Sequence, residues 1–530
     1  MKNQITVAII LTVAFIAALY LGTTVASGDI VTLSAWVGVT LVVFFVVKGY
    51  KIAWQTILFI AWGNISFLLA FRIEPIHAAA VIFGLFVVSA TFRGIRLPAM
   101  APLKRAGIIP LNIAIAIFLL YGFFHLGVCR VMPQIPGEFN LGNSAKAYFK
   151  AFAPLAILLF GLNSRMGFQV RRGWLKGFVY VMTFAVVGNV SYLVYLYLKG
   201  FSSMTDRVGV EEIGMLYIPL INAAPHHFAM RTLGPLATLF GFGIVSIPGW
   251  WREQSGWLRI AVLILIVGGL GGAVMSGGRA ALAMCFLFIG LIALYRKKIT
   301  LIIFSMMGAF LAIIIANIFS GFINEKAPMF VARPLQYFML EKGTSMDTIN
   351  NSQDQRNGLF EAAIDEWKSD PRIMGIGRGV YRYVNSFDDL RPTLGEKGAF
   401  IEVNLRAGTC HSLIPSALIQ YGVIGLILYL IIWFYLLRFN WKLYKIQKRD
   451  GYSQGVQTVT ICLLVYQSLR IVIDLVAAGW LSIFSVTMLL LIRSRMAHEV
   501  SQYEEEHLIP EAGAGQTIGS QELLQNHSAR

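Results

Sequence analysis

From its first residues almost to its last, the chain is divided into apolar runs, each about 20 residues long and so able to cross roughly 30 Å of hydrocarbon as a helix. In that solvent every backbone N–H and C=O must find a partner inside the protein, which leaves helices and closed barrels as the spanning structures. The alternating ten-residue segments of a transmembrane barrel do not occur here. Composition agrees: of 530 residues, 57% are hydrophobic and 13% charged, whereas a soluble domain carries about a quarter charged residues. The expected fold is an all-α polytopic membrane protein.

Runs at 5–27, 31–47, 52–71, 77–92, 107–128, 148–163, 174–198, 231–249, 257–276, 279–295, 299–321, 412–437, 455–473 and 476–493 give 14 transmembrane helices. The range is about 12–14, because the last pair is short and contains Arg470 and Asp474. Basic residues sit between runs, at Lys48/Lys51, Arg93 to Arg105, Arg165 to Lys176, Arg252/Arg259, Arg296 to Lys298, Arg438 to Arg449 and Arg493/Arg495. Each cluster follows an even-numbered run. Retention of Lys and Arg on the cytoplasmic side then places both termini there. The net charge of +17 is therefore a topology signal, and nucleic acid is not an expected partner. The N-terminus lacks a small-residue cleavage site and reads as a retained first span.

The expected organisation is 1–321 for the first eleven spans, 322–411 for one large outer loop, 412–493 for the C-terminal spans, and 494–530 for a polar, Glu- and Gln-rich tail read as disordered. A second outer stretch lies near 199–230. No GxxxxGK[ST] motif is present, and no aqueous stretch could fold a nucleotide-binding domain. Energy must come from the substrate, an ion gradient or a partner. Cys129, Cys285, Cys410 and Cys462 show no metal-ligand spacing. Cys129 and Cys410 fall near one face, where two unpaired thiols are expected and a disulfide is the alternative.

Three segments carry the chemistry. "VMSGGRAALAMCFLF", 274–288, opens a span with Arg279, although a central charge costs roughly 2.5–3.5 kcal/mol on insertion scales. "SQDQRNGLFEAAIDEWKSDP", 352–371, predicts an amphipathic helix capped by Ser352 or Asp354 and ended by Pro371. Its stripe of Leu359, Phe360, Ala363, Ile364 and Trp367 is headed by Arg356, and such a face suits the bundle or the membrane interface. "PRIMGIGRGVYRY", 371–383, offers a tight turn, and "GTCHSLIPSALIQYGVIGLILYL", 408–430, sets His411 at the outer mouth of the next span. Arg279, Arg356 and His411 thus map to one membrane face. Guanidinium pairs bidentately with phosphate oxygens and keeps its charge, and imidazole can take a proton from an attacking hydroxyl. Together they suit a pyrophosphate.

Blander readings stand beside these. Arg279 could fix topology by snorkelling, Arg356 could be a solvated helix-start residue, and Gly268, Gly272, Gly277 and Gly278 fit close helix packing. His226 and His227 share the outer face and fit packing better than a metal site, and Arg231 beside them is a further phosphate contact or a lipid contact. Arg470 and Asp474, four apart, fit an ion pair.

The three segments, in this order, resemble the O-antigen ligase/polymerase family of bacterial envelope glycan assembly. "MSGGRAALA" is similar to its small-residue-then-Arg motif. "DQRNGLFEAAIDEWKSDPRIMGIGRGVY" resembles its Arg-led loop helix with "P-x-x-G-x-G", and "CHSLIPSALIQYGVIGLILYL" its His motif leading into "G-x-x-G-L", with Ser412 where many relatives have asparagine. The resemblance spans roughly 270–430. It implies a metal-independent, inverting GT-C glycosyltransferase of the inner membrane, with its active site in the periplasm and no cofactor. The donor would be a glycan on undecaprenyl pyrophosphate and the acceptor a second glycan or lipid A-core, with membrane lipids and a chain-length regulator or other assembly proteins as further partners. Arg279 and Arg356 would bind the pyrophosphate, His411 would act as base or orient the acceptor hydroxyl, and Arg231, His226, His227 and Arg378 would be secondary contacts. The alternatives are a flippase of lipid-linked saccharides, a peptidoglycan-polymerase type using Asp354, Asp365 or Glu402, and a non-catalytic scaffold.

Overall fold

A computed structural model describes residues 101–131, 141–164, 168, 170, 173–198, 227–275, 279–297, 299–325, 336, 339–340, 345–379, 387–407, 410, 413–473 and 483–508, together with Trp54 and Leu58. These residues form helices, turns and connections, with no strand among them. The first four expected spans, apart from Trp54 and Leu58, lie outside them.

The short α1 (Ala101–Ala106) leads into α2 (Ile108–Val131), α3 (Leu141–Asn163) and α4 (Trp174–Leu198). Then come α5 (His227–Val245), the single turn α6 (Trp250–Glu253), α7 (Gly256–Met275), α8 (Arg279–Tyr295), α9 (Ile299–Ile318) and α10 (Ser320–Glu325). The loop contributes α11 (Ser345–Ser369), α12 (Pro371–Ile376) and α13 (Phe387–Ala407), and α14 (Leu413–Arg449), α15 (Gln454–Ile473) and α16 (Ile483–Leu508) complete the chain. Among the described residues, Ile108–Val128, Trp174–Ser191, Gly256–Met275 and Ile414–Arg449 are long and apolar enough to cross a membrane, with shorter apolar helices at Ala151–Asn163, Thr232–Val245 and Ala281–Tyr295. This is an all-α protein of membrane-spanning character.

The helices are apolar on both sides, which only a lipid solvent tolerates. α2 buries Leu111, Ile115 and Phe118 while exposing Ile109, Ile113, Ile117 and Leu120. α9 exposes Ile303, Met306, Met307, Phe310 and Leu311, a face suited to acyl chains. Inside, small residues bring helices together. A Cβ on Gly234 of α5 would stand 2.6 Å from the Gly269 carbonyl oxygen of α7, so the two backbones touch. Thr238 closes that contact by donating to the Gly234 carbonyl at 2.9 Å.

Among the described residues, Arg105, Arg296 and Arg495 are tied to the connection between α14 and α15 or to its neighbours. Arg105 pairs with Asp450 at 2.7 Å. Arg296, just after α8, reaches Gln454 at 3.5 Å and also Thr458 at the start of α15. Arg495 donates to the Val170 carbonyl at 3.0 Å and pairs with Glu499 at 2.9 Å, and Glu499 accepts from Ser453.

Several expectations need correction. The stretch from 494 on is helical through Leu508, because Arg493, Ser494 and Arg495 are buried and anchored: Arg493 donates to the Gly161 and Ser164 carbonyls and Ser494 to the Leu490 carbonyl at 2.7 Å. Residues 509–530 lie outside the described residues. The Arg438 to Arg449 segment continues α14 as helix. The loop helix begins at Ser345 and ends at Ser369, so Asp354 is an exposed interior residue and not its cap. Pro371 opens α12, whose cap is Asp370, accepting from the Arg372 N–H at 2.7 Å. Phe360, placed on the packed stripe by its spacing, is exposed.

Candidate functional site

The outer loop builds a small core of its own. Leu359 and Ala363 of α11 are fully buried with Cys410 and Ile419, and Trp367, Phe400, Ile401 and Leu405 pack around them. The stripe therefore docks on α13 and the first turns of α14, and not on a membrane surface. Two ties hold α11 to the next segment. Trp367 Nε1 donates to the Met374 carbonyl at 3.1 Å, and Glu366 pairs with Arg378, which also donates to the Leu405 carbonyl. Arg378 is mostly buried and its charge is matched by Glu366, so it serves as a strut of the loop. Cys410 is a free thiol. Its N–H donates to Ser416 Oγ at 2.9 Å, and burial, with Arg378 opposing, leaves its pKa pushed up to about 11. Cys129 falls where side chains are not described.

α14 breaks where the loop meets it. Gly422 has φ 67° and ψ −174°, and Gly377 in the facing turn has φ 77° and ψ 174°, a region essentially restricted to glycine. A Cβ on Gly422 would stand 2.3 Å from the Gly375 carbonyl oxygen, and one on Gly377 would stand 2.5 Å from Tyr421 N. The reversal removes the carbonyls of Ile419, Gln420 and Tyr421 from the helical ladder, and such groups need other donors. Arg378 N–H supplies the first at 2.8 Å and Gly379 N–H the second at 3.0 Å. The Tyr121 hydroxyl of α2 supplies the third at 2.6 Å. The P-x-x-G-x-G and G-x-x-G-L segments thus form one joint.

Arg356 sits ten residues before Glu366 on α11, partly buried, with burial holding its pKa below the usual guanidinium value. Among the described residues no carboxylate pairs with it, unlike Arg378, Arg105 and Arg495. A partly buried, always-charged fork of donors with no carboxylate among the described residues suits an anion.

Arg279 is the first residue of α8, and its side chain is not described. Tyr295 packs edge-on against Trp441 and Tyr444, with ring centroids 6.1 and 5.0 Å away. The helix begins at Arg279, about 25 Å before that contact at 1.5 Å per residue. Arg356 on the loop and Leu413 at the start of α14 lie toward the end where the loop core forms. His411, two residues before Leu413, lies outside the described residues, as does His226. His227 and Arg231 fall in the first turn of α5 with side chains not described, and Asp474, the expected partner of Arg470, also lies outside the described residues.

Sequence reasoning passed over Tyr121, His125 and Tyr148. His125 is fully buried, donates from Nε2 to the Ile376 carbonyl at 2.5 Å, and is bonded at Nδ1 to the Tyr148 hydroxyl. The signal was legible: "YGFFHLG" places a histidine and a tyrosine four apart inside an apolar run, and buried polar groups at that depth need partners. Compared with known protein families and with curated proteins, the chain matches none.

Proposed function

We propose that this chain is a GT-C-type glycosyltransferase of the bacterial inner membrane, in the manner of O-antigen ligases and polymerases, that moves a glycan from undecaprenyl pyrophosphate to an acceptor glycan or lipid A-core at the periplasmic face. The observation that carries the reading is the half-buried guanidinium of Arg356, without a carboxylate among the described residues, at the end of the bundle opposite the basic connections. In this reading Arg279, the first residue of α8, and His411, which precedes α14, reach the same end of the bundle.

In this reading the acceptor hydroxyl oxygen attacks the anomeric carbon as the bond to the pyrophosphate oxygen breaks. Configuration inverts, and undecaprenyl pyrophosphate leaves. Arg279 and Arg356 balance the charge that develops on the leaving group, and such preorganised electrostatic stabilisation usually contributes most to the rate. His411 takes the hydroxyl proton or orients the hydroxyl. The basic end faces the cytoplasm together with both termini.

The test is transfer in liposomes carrying lipid-linked glycan. Arg356→Ala is expected to lower turnover by about 10²–10³, the usual effect of removing one such donor. Arg356→Lys should restore little, because an ammonium cannot reproduce the bidentate fork. His411→Ala should abolish product while donor accumulates on the outer face. Full activity in Arg356→Ala, or donor trapped on the inner face, overturns the assignment. A ladder of long chains marks a polymerase, and single capping of core lipid marks a ligase.

A further inference from the structure

The loop joint has a second side, made by residues of α2 and α3. Tyr121 and His125 stand one turn apart on α2, and between them they bond both halves of the seam. Tyr121 Oη reaches the Tyr421 carbonyl of broken α14 at 2.6 Å and the Ile376 carbonyl of α12 at 3.3 Å. His125 Nε2 takes the same Ile376 carbonyl at 2.5 Å. A carbonyl only accepts, so Nε2 carries the hydrogen and Nδ1 is left to accept from Tyr148 of α3. The rings close around this network: His125 lies 5.5 Å from Tyr121, 5.3 Å from Tyr421 and 5.7 Å from Tyr148, centroid to centroid.

Small residues are required on both flanks. A Cβ on Gly122 would stand 2.7 Å from the Phe152 ring, and one on Gly425 would stand 3.1 Å from the Tyr121 ring. From Ile376 the connection runs through Met374 to Trp367 and through Arg378 to Glu366. Those two residues lie on the helix that carries Arg356.

We propose that Tyr121 and His125 are positioning residues that latch the outer loop onto the break in α14 and thereby hold α11 in place. The latch stands on these contacts alone; its consequence for Arg356 rests on the phosphate-binding reading above.

Cys410 reports on the latch without any substrate, because it is buried in the loop core. With its pKa pushed up to about 11 it is almost wholly protonated at pH 8, so maleimide labelling there follows opening of the loop. The full chain, carrying Cys129→Ser and held in lipid nanodiscs, is labelled at that pH. Tyr121→Phe and His125→Phe are each expected to speed Cys410 labelling about tenfold, as for one lost buried hydrogen bond. His125→Gln, whose amide still donates toward Ile376, should return the rate close to the parent's. Parental rates in Tyr121→Phe and His125→Phe overturn the latch, and so does a Gln variant that labels as fast as the Phe variant. Should His125→Phe not fold, Tyr121→Phe decides alone, since it keeps the ring and loses one hydroxyl. Faster labelling with undiminished glycan transfer supports the latch and shows that its opening does not limit the reaction, while Arg356→Ala tests the phosphate-binding reading by itself, which separates the two claims.

Discussion

Whether the loop can seat on the bundle depends on two hydrogen atoms, those that glycine has in place of Cβ at 377 and 422. Each residue adopts a backbone conformation that L side chains avoid, and each stands where a Cβ would strike the other segment's backbone within 2.5 Å. Gly422→Ala is therefore expected to cost more than about 1–3 kcal/mol, the usual strain at such a site, and to show as a lowered thermal midpoint and faster Cys410 labelling. An unchanged midpoint would mean that the two segments do not touch. The "G-x-x-G-L" and "P-x-x-G-x-G" patterns were legible as loop chemistry, but nothing in the spacing said that they pack on each other across more than forty residues. The same limit applied to the arginines. Arg356 and Arg378 look equivalent in sequence. Only the return of the chain, which brings Glu366 to Arg378 and leaves Arg356 without a carboxylate among the described residues, separates a strut from a candidate ligand site.

At the scale of elements, hydropathy located the cores of the helices and misjudged their ends. α14 and α16 both run past the point where apolar residues give way to charge. In α14, Lys445 Nζ lies 4.9 Å from the centroid of the Trp441 ring, so the ammonium is held over the indole face one turn back. In α16 the polar residues are consumed by neighbours. Arg493 donates to the Gly161 and Ser164 carbonyls, in and just after the last turn of α3, where carbonyls run out of intrahelical donors. It is a C-terminal cap delivered from another helix, a role that charge counting reads as a topology signal. Arg493→Met keeps the length and removes the donors, and it should cost about 1–3 kcal/mol for each acceptor left unsatisfied. Thermal unfolding of the detergent-solubilised protein measures it. Partial recovery by Arg493→Lys is expected, and a midpoint equal to the parent's would mean that α3 is capped in another way.

For the whole molecule, the strongest inference from sequence was directional: basic clusters after alternate apolar runs imply one cationic end. The contacts of Arg105, Arg296 and Arg495 collect those connections, while the loop core forms around Ile419 toward the other end of α14. The sequence could not say that the loop is a folded unit of three helices joined to the bundle by a backbone seam, because its core draws on residues from 359 to 419 that are adjacent only after folding. The two ends make opposite demands on the membrane, and that can be measured in intact cells. Phe360 is exposed on the loop helix, and Arg449 is exposed at the far end of α14 beside Asp450. In a Cys129→Ser background the other three cysteines are buried, so a single introduced thiol reports its own side. Phe360→Cys is expected to react with an impermeant maleimide added outside. Arg449→Cys is expected to react only after the membrane is permeabilised. Reaction of both from the same side would place the loop and the cationic end on one face, and it would remove the geometric basis for bringing Arg279, Arg356 and His411 to a common substrate.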